Sequence, residues 1–135
     1  MKYLVDTSAL VRIIREQADP RWGDLVKRGL ISICEPAMTE TLLLAESKKY
    51  AELEGFIAAW YIPVTIPDDI WDQVAEIRRE LAPHSVHQGP SVADLVIAAT
   101  AIRLKLTVLH EDRDFETVTR FVPELQQHRI SAGPE

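Results

Sequence analysis

The chain has 135 residues, 47% of them hydrophobic and 27% charged, and its 15 Lys and Arg against 21 Asp and Glu leave a net charge of −6. These values are typical of one globular domain, and they exclude a protein that coats nucleic acid through general phosphate attraction. The sequence shows no membrane-spanning run and no secretory leader, and Cys34 is its one cysteine. We therefore expect a cytoplasmic protein without a membrane partner.

The first half of the chain alternates short apolar runs with amphipathic segments. Asp19 and Pro20 form the N-cap and first-turn pair that starts a helix, and Gly29 is typical of a helix end. The predicted elements are a strand at 4–5, helices at 8–16 and 19–29, a strand at 30–34, a helix from residue 36, and a helix at 51–60.

The second half continues the alternation. The predicted elements are a strand at 63–67, a helix from residue 68 to 81, a loop at 83–90, a helix at 91–105, a strand at 107–109, a helix at 114–120, and an edge strand at 125–128. The helix at 91–105 is apolar on nearly every face, so we expect it to be buried. Strands that alternate with helices indicate a single α/β domain over residues 1–135, with a mainly parallel sheet covered on both faces.

Five acidic residues fall at element boundaries or on apolar surfaces: Asp6, Glu40, Asp94, Asp112 and Asp114. Asp6 ends the first strand, and Asp112 and Asp114 follow the fourth. Strand ends and helix starts meet at one edge of a parallel sheet, so these carboxylates are expected to converge. Like charges that converge require protonation or a bound cation, and oxygen ligands favour Mg²⁺, with Mn²⁺ as an alternative.

Each acid also has a purely structural interpretation. Asp6 and Asp114 are suited to N-caps, and Asp94, three residues after Ser91, has capping-box spacing. Glu40 is in the first turns of its helix, where the dipole favours an acid. The set as a whole favours a cation site, because divalent cations promote the attack of water on phosphodiesters.

Four segments together resemble one family: Leu4–Leu10, Pro36–Leu42, Ser91–Ala101 and Thr107–Glu116. They are similar, in order and over nearly the whole chain, to the motifs of PIN domains of the VapC toxin-ribonuclease type. The resemblance implies a three-layer α/β/α sandwich with a short, mainly parallel sheet. It also implies a divalent-metal-dependent endoribonuclease, a VapB-type antitoxin as partner, a structured cellular RNA as substrate, and frequent homodimers.

The resemblance also implies residue roles. Asp6, Asp94 and Asp112 would be direct metal ligands, and Glu40 would bind through water or act as a base. Asp114 would assist, and it shares or divides the fourth acidic role with Asp112. Two other functions remain open: a PIN-fold RNA-processing nuclease without an antitoxin, and a non-catalytic module that binds proteins.

Overall fold

The protein is described by a computed structural model over residues 2–135, so Met1 of the predicted domain lies outside the described residues. Five strands lie within that range: β1 (Tyr3–Val5), β2 (Ile31–Ile33), β3 (Ile62–Pro63), β4 (Thr107–His110) and β5 (Gln126–Arg129). Seven α-helices lie within it as well: α1 (Thr7–Ile14), α2 (Arg21–Lys27), α3 (Glu35–Leu43), α4 (Tyr50–Trp60), α5 (Ile70–Leu81), α6 (Val92–Leu104) and α7 (Arg113–Phe121). Short 3₁₀ turns follow or precede several helices.

The strands form one sheet in the order β3-β2-β1-β4-β5, and each neighbouring pair is parallel. The expected α/β class is therefore confirmed, and the sheet is wholly parallel over the described residues. Every residue of β1 and β2 is buried. Because successive side chains in a strand point to opposite faces, burial of all of them means that helices cover both faces. This is the three-layer sandwich that the sequence predicts.

Helix α6 lies in the interior, as its all-round apolar sequence predicts. Seven consecutive residues, 95–101, are buried, and they include three alanines that permit close approach of neighbouring elements. The helix packs against both α5 and α3. Over residues 2–135, no helix has both the length and the apolarity needed to cross a bilayer.

The third strand is shorter than the sequence predicts. The run at 63–67 predicts a strand, but β3 covers only Ile62–Pro63, paired with Ser32 and Ile33 of β2. The Val64 backbone N–H still donates to the Ile33 carbonyl at 2.9 Å, but β2 ends at Ile33 and the chain turns at once into α3, so β2 offers no partner to the residues after Val64. The position at the sheet edge also explains why Pro63 is tolerated, since an edge strand can lack one N–H donor.

Asp19 and Pro20 precede the start of α2. The helix begins at Arg21, one residue later than predicted, and the Asp19 carboxylate accepts a hydrogen bond from the Arg21 backbone N–H at 2.9 Å. Gly29, with a φ of +71°, ends the segment in the left-handed conformation that glycine adopts at little cost.

Trp22 of α2 joins this helix to the sheet. Its ring is fully buried, lies edge-on to Tyr3 at 5.3 Å between centroids, and donates from Nε1 to the Ile130 carbonyl at 3.0 Å. Trp22→Phe keeps much of the packing but removes this donor, which leaves the Ile130 carbonyl with only the hydrogen bond from the Gly133 backbone N–H at 3.1 Å. We expect it to lower the free energy of unfolding by about 1 kcal/mol in urea denaturation.

Trp71→Phe is the matched control for this prediction, because the Trp71 side chain is largely exposed on α5. Its unfolding free energy should stay within about 0.5 kcal/mol of the wild type. Equal effects at positions 22 and 71 would contradict the role assigned to the Trp22 hydrogen bond.

Candidate active site

Asp6 is the central acid of the cleft at the carboxyl end of the sheet. It follows β1 directly, it is only 3% exposed, and its backbone N–H donates to the Leu109 carbonyl at the end of β4 at 2.9 Å. Its carboxylate caps α1 by accepting hydrogen bonds from the Ser8 backbone N–H at 3.1 Å and from the Ser8 hydroxyl at 2.7 Å. Parallel pairing of β1 with β4 therefore fixes where this carboxylate lies.

Burial sets the charge state of Asp6. Desolvation raises the pKa of this carboxyl from 3.8 to about 6, the Ser8 hydrogen bonds oppose that shift, and the nearby charge of Asp94 adds to it. A carboxylate at this position is thus costly in the isolated protein, and any bound cation would relieve the cost.

Asp94 has the structural role that its spacing predicts, and it also lies in the cleft. It forms a capping box with Ser91 at the start of α6, with both reciprocal hydrogen bonds at 3.0 Å. Desolvation raises the pKa of Asp94, and the charges of Asp112 and Asp114 raise it further. The capping and cleft roles are therefore compatible in one side chain.

Asp112 lies between β4 and α7 as the N-cap of α7, and Asp114 lies in the first turn of that helix. Asp112 caps α7 by accepting from the Asp114 backbone N–H at 2.9 Å. One carboxylate oxygen each from Asp94, Asp112 and Asp114 lies within 4.8 Å of the others, and two unit charges at that distance repel by about 3 kcal/mol at an effective dielectric of about 20. Desolvation and the Asp112 charge both raise the pKa of Asp114.

Glu40 reaches the same cleft from α3. Its Oε1 accepts a hydrogen bond from the Thr7 hydroxyl at 2.9 Å, which links the second acidic segment to the first. The Ser8 hydroxyl therefore donates to Asp6, and the Thr7 hydroxyl donates to Glu40.

The cleft has a volume of about 380 Å³ and a mixed lining. Four of the five predicted site residues line it, and Asp114 joins them through its contact with Asp112. The side chains around the cleft include one from α1 that carries positive charge: Arg12, which donates to the Ser8 carbonyl at 2.7 Å. The residues that line the cleft include Asp6, Thr7, Ser8, Arg12, Glu40, Leu44, Asp94 and Asp112.

Three neighbouring residues were not assigned a site role from the sequence. His110 accepts a hydrogen bond from the Asp112 backbone N–H, the Glu111 backbone N–H donates to the Ser8 hydroxyl at 2.9 Å, and Gly89 approaches Asp114. A side chain at position 89 would place its Cβ 2.9 Å from Asp114 Oδ1, so a larger residue there would displace the Asp114 carboxylate. In the sequence, only the position of His110 at the end of an apolar strand indicates that it lies near the site.

The donor set fits a hard divalent cation. The converging groups are carboxylates, and carboxylate oxygens suit Mg²⁺ or Mn²⁺ rather than the softer metals that cysteine or histidine bind. Burial is the main cause of the raised pKa values of Asp6, Asp94 and Asp114, and the charges of neighbouring acids add to it, so a bound cation would stabilise these carboxylates.

The chain is similar in sequence to known proteins. A sequence model of the PIN domain matches residues 3–120. Ribonuclease VapC2 of Mycobacterium tuberculosis is 36% identical over 120 residues, covering 87% of this chain and 84% of that protein. Ribonuclease VapC17 of the same organism is 33% identical over 134 residues, covering 97% of each.

Solved structures share the fold. DNA-bound VapBC from Salmonella typhimurium aligns with a TM-score of 0.77 at 20% identity, over 96% of this chain and 98% of that one. VapBC-5 from Mycobacterium tuberculosis aligns with a TM-score of 0.64 at 22% identity, over the same fractions of 96% and 98%. The predicted PIN-like sandwich is confirmed by these alignments.

The raised pKa of Asp6 predicts an inverse dependence of stability on pH in the presence of EDTA. Between the unfolded value of 3.8 and the folded value of about 6, the folded protein binds more protons, so it gains stability as pH falls. Lowering the pH from about 7.5 to about 4.5 should let Asp6 contribute about 2 kcal/mol of unfolding free energy in urea titrations.

Asp6→Asn keeps an oxygen that can cap α1 but removes the titration, so this variant should lose most of that pH dependence. Asp19→Asn is the control, because the ion pair with Arg21 lowers the pKa of Asp19 instead. If the unfolding free energy depends on pH equally in the wild type and in Asp6→Asn, Asp6 is not the carboxyl responsible for that dependence.

Proposed function

The chain belongs to the PIN-domain family and, within it, to the VapC ribonucleases, and from that premise we propose that it is the toxin of a type II toxin–antitoxin system. Its activity is the divalent-cation-dependent hydrolysis of phosphodiester bonds in a structured cellular RNA. One observation carries the proposal: acids from four separate segments of the chain lie around a single cleft. The raised pKa values of three of them favour an ion as the missing counter-charge.

The residues proposed to hold the ion are Asp6, Asp94 and Asp112, with Asp114 assisting. The mutual approach of Asp94, Asp112 and Asp114 supports a role for Asp114 close to that of Asp112. When bound, Mg²⁺ or Mn²⁺ supplies charge neutralisation at the attacked phosphate and activation of water. The cation also makes the acidic cleft accessible to a polyanion, which the net charge of −6 otherwise repels.

The protein's own side chains supply orientation and proton transfer. Ser8 orients Asp6, and Thr7 holds the Glu40 carboxylate, which is placed to accept a proton from the attacking water. The water oxygen forms the new bond to phosphorus while the bond between phosphorus and the 3′ oxygen breaks, and the leaving 3′ oxygen takes a proton from solvent. The products are a 3′-hydroxyl and a 5′-phosphate, with Arg12 at the cleft wall as a phosphate contact.

A homodimer is the expected assembly. Exposed aliphatic side chains lie around the cleft, since Leu44 lines it, Leu43 precedes Leu44, and Val92 follows the cleft residue Ser91. Apolar side chains this exposed are suited to a contact with a second copy. The homodimer stays a prediction, and sedimentation equilibrium measures it directly.

The antitoxin is proposed to occupy a second concavity, the aromatic groove, which is defined by Ile13, Trp22, Phe56, Trp60 and Tyr61 on α1, α2 and the end of α4. Its volume is about 510 Å³, and Phe56 and Trp60 remain 46% and 43% exposed beside it. The proposal commits to one occupant, an apolar segment of a VapB-type protein. Support comes from the structural relatives, which include VapBC from Salmonella typhimurium and VapBC-5 from Mycobacterium tuberculosis, and from the acidic balance of this chain, which suits a basic partner.

Nuclease activity is predicted to depend on the cleft acids. Asp6→Asn and Asp112→Asn each keep an N-cap acceptor, so they change charge more than fold. Each should lower the rate of cleavage of total RNA in Mg²⁺ by about a hundredfold or more, and EDTA should abolish cleavage by the wild type. Cleavage-site mapping on the same RNA identifies the target.

Asp69→Asn is the matched control, because Asp69 is also at a helix N-cap but is exposed and paired with Arg103 at 2.9 Å. It should cleave at the wild-type rate. Full activity of Asp6→Asn would overturn the assignment, and a wild-type chain that cleaves no RNA with either metal would favour the non-catalytic alternative.

Antitoxin binding is predicted to depend on the aromatic groove. Trp60→Ala should weaken binding of a VapB-type protein encoded beside this gene by about 10-fold to 100-fold in calorimetric titration, because exposed tryptophans are frequent interface anchors. Trp71→Ala on α5 is the control and should bind normally. Unchanged affinity in Trp60→Ala places the partner elsewhere, and the lack of such a neighbouring gene would favour the RNA-processing alternative.

A further inference from the structure

His110, the last residue of β4, is fully buried beside the acids and uses both ring nitrogens. Nδ1 accepts a hydrogen bond from the Asp112 backbone N–H at 2.9 Å, and Nε2 lies 2.6 Å from Gln127 Oε1 on β5. Because Nδ1 accepts, the ring proton belongs on Nε2, where it is donated to Gln127.

A relay of hydrogen bonds therefore runs from the sheet edge to the acids. Gln127 is adjacent to Val108 in the β4–β5 register, so its side chain can reach His110. His110 holds the Asp112 backbone, and the Asp112 carboxylate in turn holds the Asp114 backbone N–H at 2.9 Å. Each hydrogen bond in the relay needs one donor and one acceptor, so an apolar side chain of similar size cannot replace either partner.

We propose that His110 is a positioning residue for the metal site: its neutral Nδ1 fixes the turn that presents the Asp112 and Asp114 carboxylates, and Gln127 selects the tautomer that makes this possible. The inference rests on the proposed function for its metal. It assigns no proton transfer to His110, because both ring nitrogens are occupied inside the protein and the ring is closed to substrate.

Ordinary core packing is the competing explanation. The His110 ring lies 5.1 Å from the Phe115 ring, so any substitution at position 110 will disturb packing to some extent. Packing is insensitive to which nitrogen of the ring is replaced. The relay is sensitive to it, and this difference separates the two explanations.

Two variants of His110 divide its functions. His110→Asn places an amide oxygen near the position of Nδ1, so it keeps the acceptor for Asp112 and loses the reach to Gln127. His110→Gln places an amide nitrogen near the position of Nε2, so it keeps the donor to Gln127 and loses the acceptor for Asp112. Both remove the ring, so their melting temperatures in EDTA should fall by similar amounts.

The measurement is Mn²⁺ affinity by calorimetry, with RNA cleavage rate as a second readout. We expect His110→Gln to weaken Mn²⁺ binding about 10-fold to 100-fold, and His110→Asn to stay within about threefold of the wild type. Equal Mn²⁺ affinities in the two variants would overturn the proposal in favour of packing. If either variant does not fold, Gln127→Leu replaces them, with a loss of about threefold or more expected and unchanged affinity as the contrary result.

This experiment separates its own failure from failure of the proposed function. Wild-type protein that binds Mn²⁺ and cleaves RNA, with the two His110 variants alike, refutes only the positioning role. Wild-type protein that neither binds Mn²⁺ nor cleaves RNA refutes the proposed function and, with it, the positioning role.

Discussion

Repulsion among carboxylates at one edge of the sheet is the constraint on which the rest of the structure depends. Parallel pairing of β1 with β4 brings Asp6 to the end of the strand that leads into Asp112, and the start of α6 brings Asp94 against both. Backbone N–H groups and hydroxyls offset part of the cost. The cost that remains is reflected in the raised pKa values, which come first from burial and then from the neighbouring acids, and a divalent cation would offset it.

The cleft is held together by the same hydrogen bonds that begin the helices. Asp6 caps α1, Asp94 completes the capping box of α6, and Asp112 caps α7. An N-cap fixes both the position and the orientation of its carboxylate, so the start of a helix supplies rigidity that a loop would lack. These acids can therefore cap helices and line the cleft at the same time.

Much of the fold and of the candidate site could be predicted from sequence, for physical reasons that differ between residues. The burial of α6 follows from its apolar sequence, and the convergence of the acids at strand ends follows from the geometry of parallel sheets. Both can therefore be predicted from one sequence. The extent of β3 depends on where β2 ends, and the approach of Gly89 to Asp114 depends on a distant loop. The role of His110 depends on Gln127 in the strand beside it, and no spacing rule relates those two positions.

The most direct test is the anomalous scattering of a crystal soaked in Mn²⁺. The account predicts a peak inside the acidic cleft, within coordination distance of carboxylate oxygens of Asp94 and Asp112 and of at least one of Asp6 and Asp114. Ordered Mn²⁺ elsewhere with none in the cleft at millimolar concentration would contradict the claim that these acids form a cation site.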